Sequence, residues 1–258
     1  MIADCHTHLN MAGGIADIAG YLDAFREVDV CIALARPSDK SESANKDLAE
    51  AINDQDKITG FGVFDPLNDS VQTKKIKAMS VGAGLKGFVL YCAECGFNPA
   101  NSRAMRVYEF AEENSLPVFF HNGGELSSKA VLDFARPYLI DEVARTFPGL
   151  KIVVGHMGVP FVKETILLIE KHENVYADLA INTQRPWEVY NLVVACHEAG
   201  IMDKLIFGSG YPRCDPGECA EMLLGFNKLM ANASLPNVPR EKIRGIIERD
   251  IIAALGIK

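Results

Sequence analysis

The chain is short of positive charge. Lys and Arg total 26 against 34 Asp and Glu, giving a net charge of −8. A nucleic-acid surface needs a concentrated basic face, so this balance argues against one and predicts no nucleic-acid partner. Long apolar runs are also lacking. None approaches the roughly 20 residues that span a bilayer, so no membrane partner is expected. Cysteine comes as seven scattered residues, an odd count that predicts free thiols in a reducing compartment rather than a disulfide framework. Gly82, Gly84 and Gly87 do not make a phosphate-binding fingerprint. The opening Met1-Ile2-Ala3-Asp4-Cys5-His6 is already strand-like, with no signal-peptide pattern. These absences together predict a cytoplasmic protein.

What is present is an ordinary globular composition, 48% hydrophobic and 23% charged over 258 residues. That length suits one large domain and matches an eight-stranded α/β barrel. Short β-rich runs alternate with helical patterns, the signature of parallel βα units. The expected strands are Ile2–Cys5, Val30–Ala35, Thr59–Phe64, Leu85–Tyr91, Pro117–His121, Lys151–Gly155, Val175–Leu179 and Lys204–Gly208. The expected helices are Ile15–Glu27, Ser43–Asp54, Val71–Met79, Ser102–Asn114, Ser128–Thr146, Val162–His172, Trp187–Ala199 and Glu218–Met230. Arg240–Leu255 is apolar at helical spacing and forms an extra C-terminal helix outside the repeat. The fold expected is a single-domain (β/α)8 barrel over residues 1–258, whose chemistry sits where strands end in their C-terminal loops.

Four of the six histidines fall at such strand ends. His6 and His8, in "DCHTHL", are two apart on an extended segment and therefore share a face. His121 ends the fifth strand in "PVFFHNGGE", and His156 follows the sixth in "LKIVVGHMG". A lone HxH serves as readily as a strand cap, and a single buried histidine is more often a hydrogen-bonded core residue. Four at strands one, five and six point instead to a metal or catalytic cluster.

The segments "DCHTHL", "LPVFFHNG", "FPGLKIVVGHMG", "ENVYADLA" and "LIFGSGYP", in this order and spacing, resemble the amidohydrolase-2 family of the metal-dependent amidohydrolase superfamily. The family also holds 2-amino-3-carboxymuconate-6-semialdehyde decarboxylase. The resemblance covers nearly the whole chain. It implies one divalent metal ion, commonly zinc, with His6, His8 and His121 as ligands and His156 acting on water or substrate.

The likeness fails at one position. The family places an aspartate in the eighth-strand turn where this chain has Gly210. Asp215 could fold back to replace it, though a residue before Pro216 and Glu218 is equally suited to start a helix. Cys214, Glu94 and Glu125 are other candidates, and three imidazoles with water also make a complete catalytic zinc shell. Loss of the metal and of catalysis is the remaining reading. Val89 stands where several relatives carry a pocket lysine, and Lys86 falls three residues away, so a binuclear centre is not expected.

Arg36, Arg185 and Arg213 follow the second, seventh and eighth strands. Guanidinium groups grip carboxylates bidentately, which suggests a small carboxylate-bearing substrate. Asp178, in "YADLA", either orients His156 or is structural. Cys92 and Cys95 form a CxxC without the surroundings of a redox motif. The activity expected is metal-dependent hydrolysis of a lactone, ester or amide, with His156 and Asp215 as catalytic residues. The alternatives are non-oxidative decarboxylation of an unsaturated or aromatic acid, a lyase reaction, and a non-catalytic metabolite-binding barrel. A homodimer is the assembly left open.

Overall fold

The computed structural model describes residues 1–12, 15–38, 40–124, 126–180, 182–230 and 234–257. Its frame is an eight-stranded parallel sheet in sequential order: β1 Ala3–Thr7, β2 Val30–Leu34, β3 Ile58–Val63, β4 Gly87–Leu90, β5 Val118–Phe120, β6 Ile152–Val154, β7 Val175–Ala180 and β8 Leu205–Gly208. All eight expected strands are present. Their runs are apolar without alternation because helices cover one face and the barrel interior buries the other. The two faces still separate by parity. Val89, Phe119, Val153 and Ile206 pack in one core cluster. Their neighbours Phe88, Leu90, Val118, Phe120, Ile152, Val154, Leu205 and Phe207 pack in the other. Phe119 reaches the His6 ring edge-on, 5.0 Å between centroids, so the first set faces the barrel axis.

The ring closes between β1 and β8 through "GSGYP". Gly210 N–H donates to His6 O at 2.9 Å, and His8 N–H donates to Tyr211 O at 2.8 Å. The buried Asp4 carboxylate accepts from His6 N at 3.0 Å and from Ser209 N at 3.1 Å. Two glycines permit this join. A Cβ on Gly208 would stand 2.8 Å from the His6 Cβ, and Gly210 has φ +70°, a left-handed backbone that favours glycine. The first histidine strand and the glycine turn are thus one structural unit.

The helices are α1 Ile18–Ala24, α2 Ser41–Ile52, α3 Thr73–Met79, α4 Ser102–Glu113, α5 Asp141–Thr146, α6 Val162–Lys171, α7 Pro186–Glu198, α8 Pro216–Leu224, α9 Arg240–Ile247 and α10 Ile251–Leu255. Several expected helices are shorter. A two-residue antiparallel ladder, Met11–Ala12 with Ile15–Ala16, takes the place of the start of the first. The stretch expected as one helix over Ser128–Thr146 is instead two 3-10 turns, Leu132–Ala135 and Pro137–Ile140, followed by α5. Pro137 has no N–H to donate and pushes Arg136 to an extended conformation, φ −74° and ψ 121°. The tail is two helices rather than one, because Asp250 leaves the helical conformation and its side chain caps Ala253 N at 2.9 Å. The pair Cys92 and Cys95 sits on a single helical turn directly after β4. All seven cysteines are free thiols. Among the described residues no helix is long and apolar enough to cross a membrane.

Candidate metal centre

The four strand-end histidines meet at the C-terminal mouth of the barrel. The His6 ring lies 5.3 Å from His8, 4.9 Å from His121 and 4.4 Å from His156, centroid to centroid. His121 lies 5.5 Å from His8 and 5.1 Å from His156. Each ring is fixed from outside. His6 Nδ1 pairs with Asp178 Oδ2 at 2.8 Å, and His8 Nδ1 with the Leu34 carbonyl at 2.9 Å. Both acceptors place the ring proton on Nδ1 and leave Nε2 with a free lone pair. His156 Nδ1 has a longer contact with Ala180 O, 3.3 Å. His121 is stacked on Tyr91, 4.6 Å away and tilted by 25°.

Burial keeps these rings neutral. It lowers the pKa of His6 to about 3 and of His156 to about 4, and holds His8 and His121 well below the usual histidine range. The cationic Arg36 beside His6 acts in the same direction. Neutral imidazoles with unshared lone pairs are the form that binds a metal. Burial also pushes Asp178 up to about 6 and Asp4 up to about 7.

A metal fits this arrangement on one direct observation. His6 Nε2 is fully buried and has no hydrogen-bond partner among the described residues. An orphaned buried acceptor is costly unless something else satisfies it. One ring nitrogen from each of His6, His121 and His156 lies within 4.8 Å of the other two. This closest-spaced trio contains His156 where the sequence suggested His8, whose ring stands slightly further out. An all-imidazole donor set suits zinc and neighbouring transition metals.

Asp178 does more than the sequence suggested. Besides holding His6, its Oδ1 accepts from His156 N at 2.9 Å and Ala180 N at 2.7 Å. The turn it anchors is strained: His156 and Met157 both have φ +52°, a conformation costing about 1–3 kcal/mol per non-glycine residue. Asp4 and Tyr91 were not singled out from sequence. Asp4 lies on β1 two residues before His6, and that adjacency was the available signal. The Tyr91 stack depends on neighbouring strands and had none.

Above the rings opens a cavity of about 690 Å³, lined by His6, His8, His121, His156, Arg36, Tyr91, Glu94, Lys129, Gly210 and Arg213 among others. Arg36 and Arg213 are exposed and form no ion pair among the described residues. Arg185 lies outside, in an adjoining cavity of about 40 Å³ that also touches His156 and Arg213, and pairs with Glu188 at 3.3 Å.

The candidates for the place beside Gly210 are otherwise engaged. Asp215 is exposed and caps α8, accepting from Gly217 N at 2.8 Å and Glu218 N at 3.1 Å. It lines a separate cavity with Ile2 and Asp23. Cys214 is buried near Thr183, its Sγ 3.9 Å from the hydroxyl. The Glu94 carboxylate accepts from Ser127 N at 2.7 Å and Ser127 Oγ at 2.6 Å. Glu125 lies outside the described residues. Val89 is fully buried, and Lys86 is exposed just before β4.

A parallel (β/α)8 barrel with a cluster of imidazoles at its C-terminal mouth defines an enzyme architecture able to hold a metal ion. A family model described as amidohydrolase matches residues 3–245, and the chain belongs to that family. A search of curated proteins finds no match. Solved structures share the fold at low identity. A probable 2-pyrone-4,6-dicarboxylic acid hydrolase from Acinetobacter baumannii, with citric acid bound, is 14% identical over 99% of both chains, TM-score 0.71. The 5-carboxyvanillate decarboxylase of Sphingomonas paucimobilis is 12% identical over 100% of this chain and 99% of its own, TM-score 0.70. A zinc-bound amidohydrolase from Burkholderia multivorans is 13% identical over 100% of both, TM-score 0.72. The solved structures that share the fold thus include a probable hydrolase and decarboxylases.

Proposed function

We propose that the protein is a metal-dependent hydrolase acting on a small carboxylate-bearing lactone, ester or amide. The observation that carries this reading is the buried His6 Nε2, without a hydrogen-bond partner among the described residues and set among three further imidazoles, below a cavity lined by two exposed guanidiniums, Arg36 and Arg213. His6, His8 and His121 would hold one divalent ion, zinc by donor type, whose chemistry is Lewis-acid polarisation of a carbonyl or of water. The short Nδ1 bonds of His6 and His8 fix their tautomers, as the outer partners of metal ligands do.

His156 suits the moving proton. It lines both the main and the adjoining cavity, and its Nδ1 is only loosely held. As a neutral base it accepts a proton from the attacking water and returns it to the leaving oxygen or nitrogen. Arg36 and Arg213 flank β1 from the β2 and β8 loops and would orient the substrate carboxylate.

The second reading is non-oxidative decarboxylation of an unsaturated or aromatic acid. It is favoured by the fold shared with a 5-carboxyvanillate decarboxylase and a 2,6-dihydroxybenzoate decarboxylase. In that reaction His156 would relay a proton from solvent or from the substrate's own acid group to the carbon, as its bond to the carboxylate breaks and carbon dioxide leaves.

The test is metal content after zinc or manganese supplementation, followed by ester, lactone and amide hydrolysis and carbon dioxide release on panels of carboxylates. Near-stoichiometric metal, lost in His6→Ala, with hydrolysis supports the first reading. Carbon dioxide release supports the second. Less than about a tenth of an equivalent of metal, unaffected by His6→Ala and His8→Ala, leaves a non-catalytic binding barrel.

A further inference from the structure

Beside the main cavity lies another of about 450 Å³, and Arg36 and Pro37 line both. Its floor is apolar and buried, formed by Leu9, Leu34, Ala35 and Leu48, with half-buried Ala44 of α2 beside them. Its rim is polar and exposed, and carries the acidic Asp47. We propose that this chamber is a specificity pocket for an apolar arm of the substrate, attached next to the carboxylate that Arg36 holds. The inference rests on the carboxylate-substrate reading above and narrows it.

Three features of the chamber support the assignment. Leu9 and Asn10 continue the chain directly from His8, and Pro212 belongs to the turn that closes the barrel beside His6. The chamber therefore adjoins the metal site, with Arg36 and Pro37 on the wall common to both. A buried apolar floor gains most from hydrocarbon and loses from a charged group that would shed its water. Asp47 at the rim repels a second carboxylate at the far end of the arm. The preferred class is thus a monocarboxylate with an alkyl or aryl substituent, not a dicarboxylate.

Calorimetric titration of the zinc-supplemented full chain tests this, using acetate, butyrate, hexanoate, adipate and hexan-1-ol as probes. Binding should tighten about fourfold per methylene from acetate to hexanoate. Adipate should bind no tighter than hexanoate. In Ala44→Phe, which fills the chamber from α2, the gain from acetate to hexanoate should fall below about twofold while acetate binding is unchanged. Ser43→Trp, placed on the exposed rim where folding is not at stake, should produce the same flattening. A flat series in the wild type, a gain that survives both substitutions, or adipate binding tenfold tighter than hexanoate would overturn the pocket. Equal affinity for hexanoate and hexan-1-ol strikes instead at the carboxylate reading, since the apolar arm would then bind without help from Arg36.

Discussion

Asp178 Oδ2 accepts the Nδ1 proton of His6 at 2.8 Å, and neither side chain is exposed to solvent. This bond joins the end of β7 to β1 across β8 and fixes which His6 nitrogen faces the cavity. Replacing Asp178 by Asn keeps the shape but lets the amide present either a donor or an acceptor to His6. Zinc affinity should fall about 10- to 100-fold. Competition against a chromophoric chelator measures this, and an unchanged affinity would remove Asp178 from the support of the site.

His8 and His156 should separate in their effects. Loss of a ligand removes metal, whereas loss of a proton carrier leaves metal and removes turnover. His8→Ala is expected to lower zinc affinity at least about 100-fold, and His156→Gln to retain metal with turnover reduced about 10²- to 10⁴-fold. Metal content and turnover measured on the same preparations decide between them. The reverse pattern would put His156 into the ligand set, where the closest-spaced trio already includes it.

The histidine cluster was legible in sequence because a barrel strand delivers its terminal residues to one place. His6 and His8 followed from alternation, and His121 and His156 from the ends of apolar runs. What sequence could not show is how neighbouring groups are spent. Asp215 looks equally like a catalytic carboxylate and a helix cap, and only the distances to Gly217 N and Glu218 N give its place. Arg36, Arg185 and Arg213 share a strand-end position, yet Arg185 turns toward Glu188 and the smaller cavity. Helix lengths failed where one proline or one side-chain cap outweighs an apolar stripe, as at Pro137 and Asp250.

Asp141 gives a pH-dependent test away from the site. Hydrogen bonds from Lys171 and His172, and then from Arg145, hold its carboxyl down at about 2. A carboxylate with a depressed folded-state pKa stabilises the fold above its ordinary value near 4, and that contribution is lost as pH falls through about 2. The group is partly exposed, so solvent screening limits it to about 1 kcal/mol or less. Urea unfolding near pH 5 should therefore show the wild type more stable than Asp141→Asn. The difference should shrink below pH 4; a difference that grows on acidification would contradict the assignment.

Gly210→Asp tests how the site accommodates its glycine turn. An added Cβ would lie 3.7 Å from both His156 Cε1 and Ala180 Cβ, ordinary contact distances, so space is not the obstacle. The cost is the φ of +70°, about 1 kcal/mol, with Asp among the residues that best tolerate it. A carboxylate beside His156 adds an anionic donor to an otherwise neutral imidazole set. Zinc affinity should rise about tenfold or more, while Gly210→Ala should show the same destabilisation without the gain. Thermal unfolding and chelator competition on both variants separate strain from ligation. Equal zinc affinity in the two would mean that the new carboxylate does not reach the imidazoles, and that the turn around Gly210 serves closure of the barrel alone.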